Sequence, residues 1–370
     1  MPDLAPAAAL RSPRGAILVR AALLVATTLA LVACQAVGPL SVPRDRMDYA
    51  DAIGQSWKQQ MLLNIVKLRY LDTPVYLDIS SVVTSYSLGG EVTLGGTFYP
   101  TRSDNNETNG ALGASGSYSE TPTITYSVLT GEKLVDSLLR PLPPETIFAM
   151  INAGHPADFL LRASTRAIDG IYNGSDAPLS PRAEDARFAE VTRDFRNIEL
   201  AGALDVRFEK RDDEEQTYIA FRRHVSTQAD RAVDDLKKAL GIPATVDVLH
   251  VVAGLVPRKP DQIALLTRPM QRLLSEMAAG VDVPAADLRA GRATPAPPRG
   301  PGTAPELVHI RSGLERPADA FAAVHYRGYW FWVDDRDLES KRMFMFLMMF
   351  SSLSESGKVP QAPILTIPTR

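Results

Sequence analysis

The chain has one cysteine, Cys34, so no internal disulfide can form and an unpaired thiol needs another explanation. Its five histidines, His155, His224, His250, His309 and His325, show neither the His-to-His spacing of four nor the Glu spacing of a zincin, so no metal site is expected. Gly113-Ala114-Ser115-Gly116 lacks the residue that a nucleophile elbow places between Ser and the last Gly. Charge is balanced: 40 Lys+Arg face 43 Asp+Glu, which excludes the basic footprint of a nucleic-acid binder. Beyond the N-terminal region no apolar run approaches the ~18 residues of a membrane helix. No catalytic group and no cofactor is expected, and the chain reads as non-enzymatic.

What is present begins at the N-terminus. Arg11, Arg14 and Arg20 precede an uncharged run from Ala21 to Val32. A basic region followed by a short apolar region is the order of a secretory signal. The run is too short for a hydrocarbon core, which needs ~20 residues. It ends in Leu31-Val32-Ala33-Cys34, which resembles the lipobox of bacterial lipoproteins. That resemblance implies cleavage before Cys34 and acylation of its thiol and freed amine, and two or more acyl chains hold a protein stably on a membrane. Gln35 follows, where Asp would imply inner-membrane retention. The resemblance therefore implies an outer-membrane anchor facing the periplasm. Cleavage removes three Arg and one Asp, which leaves 37 basic and 42 acidic residues and a formal charge of −5.

The remaining chain has ordinary globular composition, 45% hydrophobic and 22% charged. Residues 34–47 read as a lipidated tether. A helix is expected from Asp48, with an apolar stripe of Tyr49, Ile53, Trp57, Met61, Ile65 and Leu68, and with Lys58, Lys67 and Arg69 off it. Asp72-Thr73-Pro74 ends it. From Val82 to Phe98 the even positions are mostly apolar and the odd ones mostly polar. After the turn-rich stretch 100–110 the alternation resumes from Leu112 to Val128. Residues 82–128 thus read as a long amphipathic hairpin, expected to pack on the protein's own core. The alternatives are a multi-subunit transmembrane barrel, with Tyr86, Phe98, Tyr118 and Tyr126 as girdle residues, and a partner-binding arm.

A helical middle follows. Gly131–Leu139 forms a short helix and Pro144 opens the next. Ser180 caps a helix with Phe188, Val191, Phe195 and Ile198 on one face. Strands are expected at Leu204–Phe208, Gln216–Arg222, Val246–Val252 and Gln262–Thr267. Between them a helix opens on a capping box of Thr227 and Asp230 and stops at Gly241, and Pro269 opens another. Residues 283–305, rich in Pro, read as a disordered linker or surface loop. Beyond it come strands at Leu307–Arg311 and Val324–Val333, a helix from Asp337 to Leu353 and a strand at Pro363–Ile367. The fold class is α+β, an α+β domain at 48–282 and a segment at 306–370, with antiparallel strand-strand-helix-strand order on both sides of the linker.

Two surface constellations stand out. Tyr326, Tyr329, Trp330, Phe331 and Trp332 fit a strand buried on both faces, with an aromatic glycan-stacking surface of Tyr326, Trp330 and Trp332 as the alternative. Asp334, Asp335, Asp337 and Glu339 fit a helix N-terminus better than a cation site, since the EF-hand pattern is missing. Met343–Phe350 reads as a buried helix. Leu62–Tyr70, Gly131–Pro144 and Tyr326–Lys341 resemble an uncharacterised group of proteobacterial predicted lipoproteins, a resemblance that brings no activity. The expected role is that of an envelope protein, structural or in assembly, acting through membrane lipid and envelope proteins. The alternatives are a homo-oligomeric outer-membrane channel component to which each subunit donates a hairpin, and a hydrolase without a recognisable motif.

Overall fold

The computed structural model describes residues 42–96, 110–178, 181–211, 214–295 and 306–355. Cys34, Gln35, the signal region 1–33, the tether up to residue 41, most of the hairpin turn, residues 296–305 and the expected strand at 363–367 lie outside them. The architecture is mixed α+β, divided into two units.

The first unit comprises residues up to Ser56 and from Ile79 to Ser127. It holds the start of helix α1 (Val42–Arg69) and nearly all of strands β1 (Leu77–Gly96) and β2 (Gly110–Val128). The helix begins at Val42, six residues before the expected Asp48. The two strands form a two-stranded sheet of their own, and among the described residues neither pairs with any other strand. Ile124 and Tyr126, on the apolar parity of β2, are 38% and 52% exposed. These described positions depart from the expectation that the hairpin packs on a core.

The second unit comprises Trp57–Asp78 and everything from Val128 on. The rest of α1 belongs here, and its buried side differs from the expected stripe. Leu62, Ile65, Val66 and Arg69 are buried, while Met61 and Leu68 are only partly so. The buried side keeps spacings of three and four, but its centre lies about one residue beyond the expected stripe. Trp57, a member of the expected stripe, is half-buried.

After β2, helix α2 (Gly131–Leu134) runs into a wider π turn at Val135–Leu139. Helices α3 (Pro144–Asn152) and α4 (Ala157–Ser164) follow, then β3 (Thr165–Ile168), β4 (Ile171–Tyr172) and α5 (Ala186–Leu200). Helix α5 is capped by Asp185, whose carboxylate accepts from Arg187 N, instead of by Ser180. Next come β5 (Leu204–Arg211), β6 (Glu214–Phe221), α6 (Thr227–Leu240), β7 (Val248–Ala253) and β8 (Gln262–Thr267). Ser226, not Thr227, caps α6 by accepting from Ala229 N, and Asp230 reaches back to His224 N at 3.0 Å. Thr227 and Asp230 therefore form no capping box: the cap is Ser226, and Asp230 binds a backbone N–H two residues before it.

The six strands order β4-β3-β8-β7-β6-β5. All neighbours are antiparallel except β7 and β8, which are parallel. This corrects the expectation of antiparallel modules. Parallel neighbours usually need a helical crossover of a dozen residues or more. Here residues 254–261 alone make the return, and a short irregular connection gives no periodic signal in the sequence.

Helix α7 (Met270–Met277) and a single 3-10 turn at Ala278–Gly280 lead to α8 (Ala285–Arg289), inside the stretch expected to be structureless. Asp287 of α8 is 1% exposed. The chain resumes at Glu306, and Ile310 bridges to Val281, so the Pro-rich stretch is closed at its base. Gly280 allows that closure, because a Cβ there would lie 1.9 Å from the Val308 carbonyl oxygen.

Strands β9 (Arg311–Gly313), β10 (Ala320–Tyr326) and β11 (Tyr329–Asp334) form an antiparallel sheet in the order β10-β11-β9. The single strand expected at Val324–Val333 is thus two strands. Arg327 and Gly328, both with positive φ (49° and 85°), make the two-residue turn. A type I′ hairpin turn needs φ > 0 at both central residues, and Asn-Gly is its usual sequence signal. Arg-Gly carries only half of it. Helix α9 (Leu338–Glu355) buries Met343, Phe344, Phe346, Leu347 and Phe350 but exposes Met345. One hydrophobic core runs from Leu62 to Phe350, and each fully buried Phe or Leu in it contributes about 1.5–3 kcal/mol.

Candidate functional site

Two sequence stretches that looked distinctive, Leu62–Tyr70 and Tyr326–Lys341, meet in the second unit. The end of α1 delivers Tyr70 and Asp72, and the β10–β11 turn delivers Tyr326 and Arg327. The Tyr70 and Tyr326 rings meet edge-on, centroids 5.6 Å apart, and Phe331 lies edge-on to Tyr70 at 6.2 Å. The Tyr326 hydroxyl donates to Asp72, which also accepts from Arg327 at 2.8 Å. The Arg327 guanidinium lies 5.3 and 5.6 Å from the two ring centroids. On the far side the Tyr70 hydroxyl donates to Asp287 at 2.8 Å, and Arg292 donates to the other Asp287 oxygen at 2.8 Å.

The chain is strained where this cluster forms. Leu71 (φ 58°) and Arg327 (φ 49°) are both non-glycine residues in the left-handed region. Such strain persists where surrounding contacts over-determine it. The electrostatics favour fixed charges. Hydrogen bonds from Tyr326 and Arg327 hold the Asp72 carboxyl below the usual range. Burial opposes the charged form of Asp287, but bonds from Arg292 and Tyr70 still hold its carboxyl low. Burial, then the bond to Asp287, pushes the Tyr70 hydroxyl up, so it stays a donor. These groups are suited to clamping two segments together rather than to moving protons.

The structure divides the expected aromatic surface. Tyr326 is paired with Tyr329 and packs against the core beside Phe331, which is fully buried. Trp330 and Trp332 lie on the opposite face of the same sheet, both half-buried. On that face Trp330 meets His325 edge-on at 5.4 Å and Arg316 at 5.4 Å, while Trp332 lies over Gly313. Tyr326, Trp330 and Trp332 therefore do not form one surface, and β11 is not buried on both faces. Period-two alternation explains this: Phe331 and Val333 point inward and the two Trp outward.

The acidic run is likewise distributed. Asp337 accepts from Ser340 N at 3.0 Å and caps α9, Asp335 pairs with Lys341 at 2.8 Å, and Asp334 pairs with Arg311 at 3.0 Å. Among the described residues no group of three or more His, Cys, Asp or Glu is placed to hold a metal ion.

Sequence reasoning missed the buried polar groups. Arg268, 4% exposed, donates to the carbonyls of Arg162, Ala163 and Gly174, and burial lowers its guanidinium to about 10. Glu276 beside it accepts from Asp176 N, Ala177 N and Arg272. Arg69, read as an exposed helix residue, is 1% exposed and donates to Thr294 at 3.3 Å. Asn64 acts as a strand partner to Val75, donating to its carbonyl and accepting from its N–H. Asp169, in the β3–β4 turn, accepts from Ala264 N at 2.6 Å, and burial pushes its carboxyl up to about 6. Nothing in local sequence distinguishes these polar residues from exposed ones.

No family model, no curated protein and no solved structure matches the chain. Among the described residues no helix is long and apolar enough to cross a membrane.

Proposed function

We propose that this chain is a lipid-anchored protein of the bacterial envelope, cut before Cys34, acylated there, and directed by Gln35 to the periplasmic face of the outer membrane. It acts without catalysis, in a structural or assembly role, and the β1–β2 ribbon is its contact element. The observation that carries this reading is the ribbon itself: two strands of 20 and 19 residues that pair, among the described residues, only with each other, with Ile124 and Tyr126 exposed. A lone two-stranded ribbon is marginally stable in water, so strands this long imply a partner. The tyrosine–aspartate clamp supports a non-catalytic reading, since both carboxylates are held charged and both hydroxyls are committed as donors.

The test is metabolic labelling with palmitate. Wild type incorporates label and Cys34→Ser does not, and the Ser variant keeps its signal segment. Equal labelling of the two would sink the anchoring reading.

A further inference from the structure

We infer that the partner of the ribbon is a second copy of this chain, and that several ribbons join edge to edge into a closed β-barrel through the bilayer that holds the lipid anchor. The inference rests on the envelope placement proposed above. Four observations carry it.

The first is the open edges. Among the described residues no other strand pairs with the outer edge of β1 or of β2, and a neighbouring copy offers the complementary edge in the same orientation. Head-to-tail pairing of this kind closes into a ring. The second is charge. Of the residues in the two strands only Asp78, Glu91 and Glu120 are charged, and none is Lys or Arg. Water-exposed edges are normally protected by charged residues, Lys above all. A chain that is 22% charged overall leaves its longest edges almost bare.

The third is register. Leu129 N donates to the Tyr76 carbonyl at 3.0 Å, which sets Leu77 opposite Val128 at the base of the hairpin. Carried up an antiparallel ladder without a break, that register would match odd positions of β1 with even positions of β2, and the two apolar sets would fall on opposite faces. However, β1 is one residue longer than β2. One extra residue, a β-bulge, restores a common parity. Ser80-Ser81 is where such a bulge would sit, because the apolar parity of the sequence changes there from Leu77 and Ile79 to Val82 and the even positions beyond. The pairs would then be Val82 with Ile124, Leu88 with Tyr118, Val92 with Ala114 and Leu94 with Leu112. With that register the even positions would make one mostly apolar set, and the odd positions a set of Ser, Thr and Gly with Val83, Glu91 and Ala111 among them, a mainly polar lining that suits a water-filled lumen.

The fourth is length. Twenty residues extend about 65 Å, far more than a bilayer needs. A membrane strand takes about 9–11 residues. Leu88–Gly96 and Gly110–Tyr118 supply that length, with Tyr86 and Tyr118 at one boundary. Glu120, on the apolar parity, then falls just outside the hydrocarbon, where its charge is tolerated.

The experiment uses full-length protein in native membranes, with single cysteines introduced at Val92, Ala114, Thr93 and Ser115. Thr93→Cys and Ser115→Cys should react with a membrane-impermeant maleimide at least tenfold faster than Val92→Cys and Ala114→Cys. Unboiled gels should show one multi-subunit band that boiling collapses to monomer. Val92→Lys should abolish that band and Thr93→Lys should keep it, with the melting of the second unit unchanged in both. Equal reactivity of the four cysteines, a monomer by chemical cross-linking, cross-links only to a different protein, or an oligomer that survives Val92→Lys would each overturn the barrel. Palmitate labelling is read on the same membranes. Labelled but monomeric protein overturns the barrel alone, whereas unlabelled protein overturns the anchoring reading.

Discussion

Helix α5 and strand β2 each carry an apolar stripe at the period of their own secondary structure. In α5 the stripe of Phe188, Val191, Phe195 and Ile198 is fully buried. In β2 the described members of the stripe, Ile124 and Tyr126, are exposed. Both patterns are visible in the sequence, although Glu120 and Pro122 interrupt the one in β2. Periodicity states which residues share a face, and only the packing states what covers that face. The second unit covers its faces with its own helices and sheets, and spends few charges inside except where they are tied. The ribbon carries only three charged residues, and its described apolar positions Ile124, Tyr126 and Val128 are exposed.

The sharpest way to break this comparison is to damage the second unit at its tightest point. Gly280→Ala puts a methyl against the Val308 carbonyl, where a Cβ would sit at 1.9 Å. The backbone must move, and the paired bonds between Gly280, Asp282 and Ile310 must give way. We expect a loss of about 3 kcal/mol or more, read as a lowered thermal midpoint by circular dichroism. A midpoint within about 2 °C of wild type would show that residues 306–355 are not closed onto α7 as described.

A second test concerns the contrast in buried charge. Asp169 has its carboxyl pushed up to about 6 by burial, and its Oδ2 is buried without a hydrogen-bond partner. The folded state therefore holds a proton that the unfolded chain releases at its ordinary value near pH 4. Stability from this group is greatest below about pH 4 and falls as pH rises towards about 6. Asp169→Asn keeps the acceptor for Ala264 N and removes the charge. It should stabilise the protein by about 2–3 kcal/mol at pH 8 and by little at pH 4. Denaturant melts at both pH values decide it, and a gain that is the same at both would remove burial of charge as the cause.

The smallest effect lies at the exit from α1. Leu71 adopts φ 58° while 52% exposed, a place where helices usually end on glycine. Leu71→Gly should stabilise the isolated protein by about 0.5–1 kcal/mol. A net loss in urea titration would mean that the Leu71 side chain makes a contact worth more than its strain.

Several features were legible in the sequence because they depend on neighbours in the chain. The α5 stripe, the stop at Gly241 with φ 71°, the opening at Pro269 and the capping role of Asp337 are of this kind. The β10–β11 turn was not legible, because Arg327 occupies a position that usually announces itself as Asn. Nor was the clamp of Tyr70, Asp72, Tyr326, Arg327 and Asp287, whose members are separated by more than 200 residues in places.

By itself the sequence determined the periodic elements, the mixed α+β class, and the absence of any local motif for metal or nucleophile chemistry. Local propensity, capping and apolar period act within a few residues, so they can be read without the fold. Tertiary structure decided which side of α1 is buried, that β7 and β8 run parallel, that Tyr326 parts from Trp330 and Trp332, and that Arg69, Arg268 and Asp287 lie inside. Those outcomes depend on which distant segment arrives to exclude water from a given face, and burial is a property of both surfaces that meet.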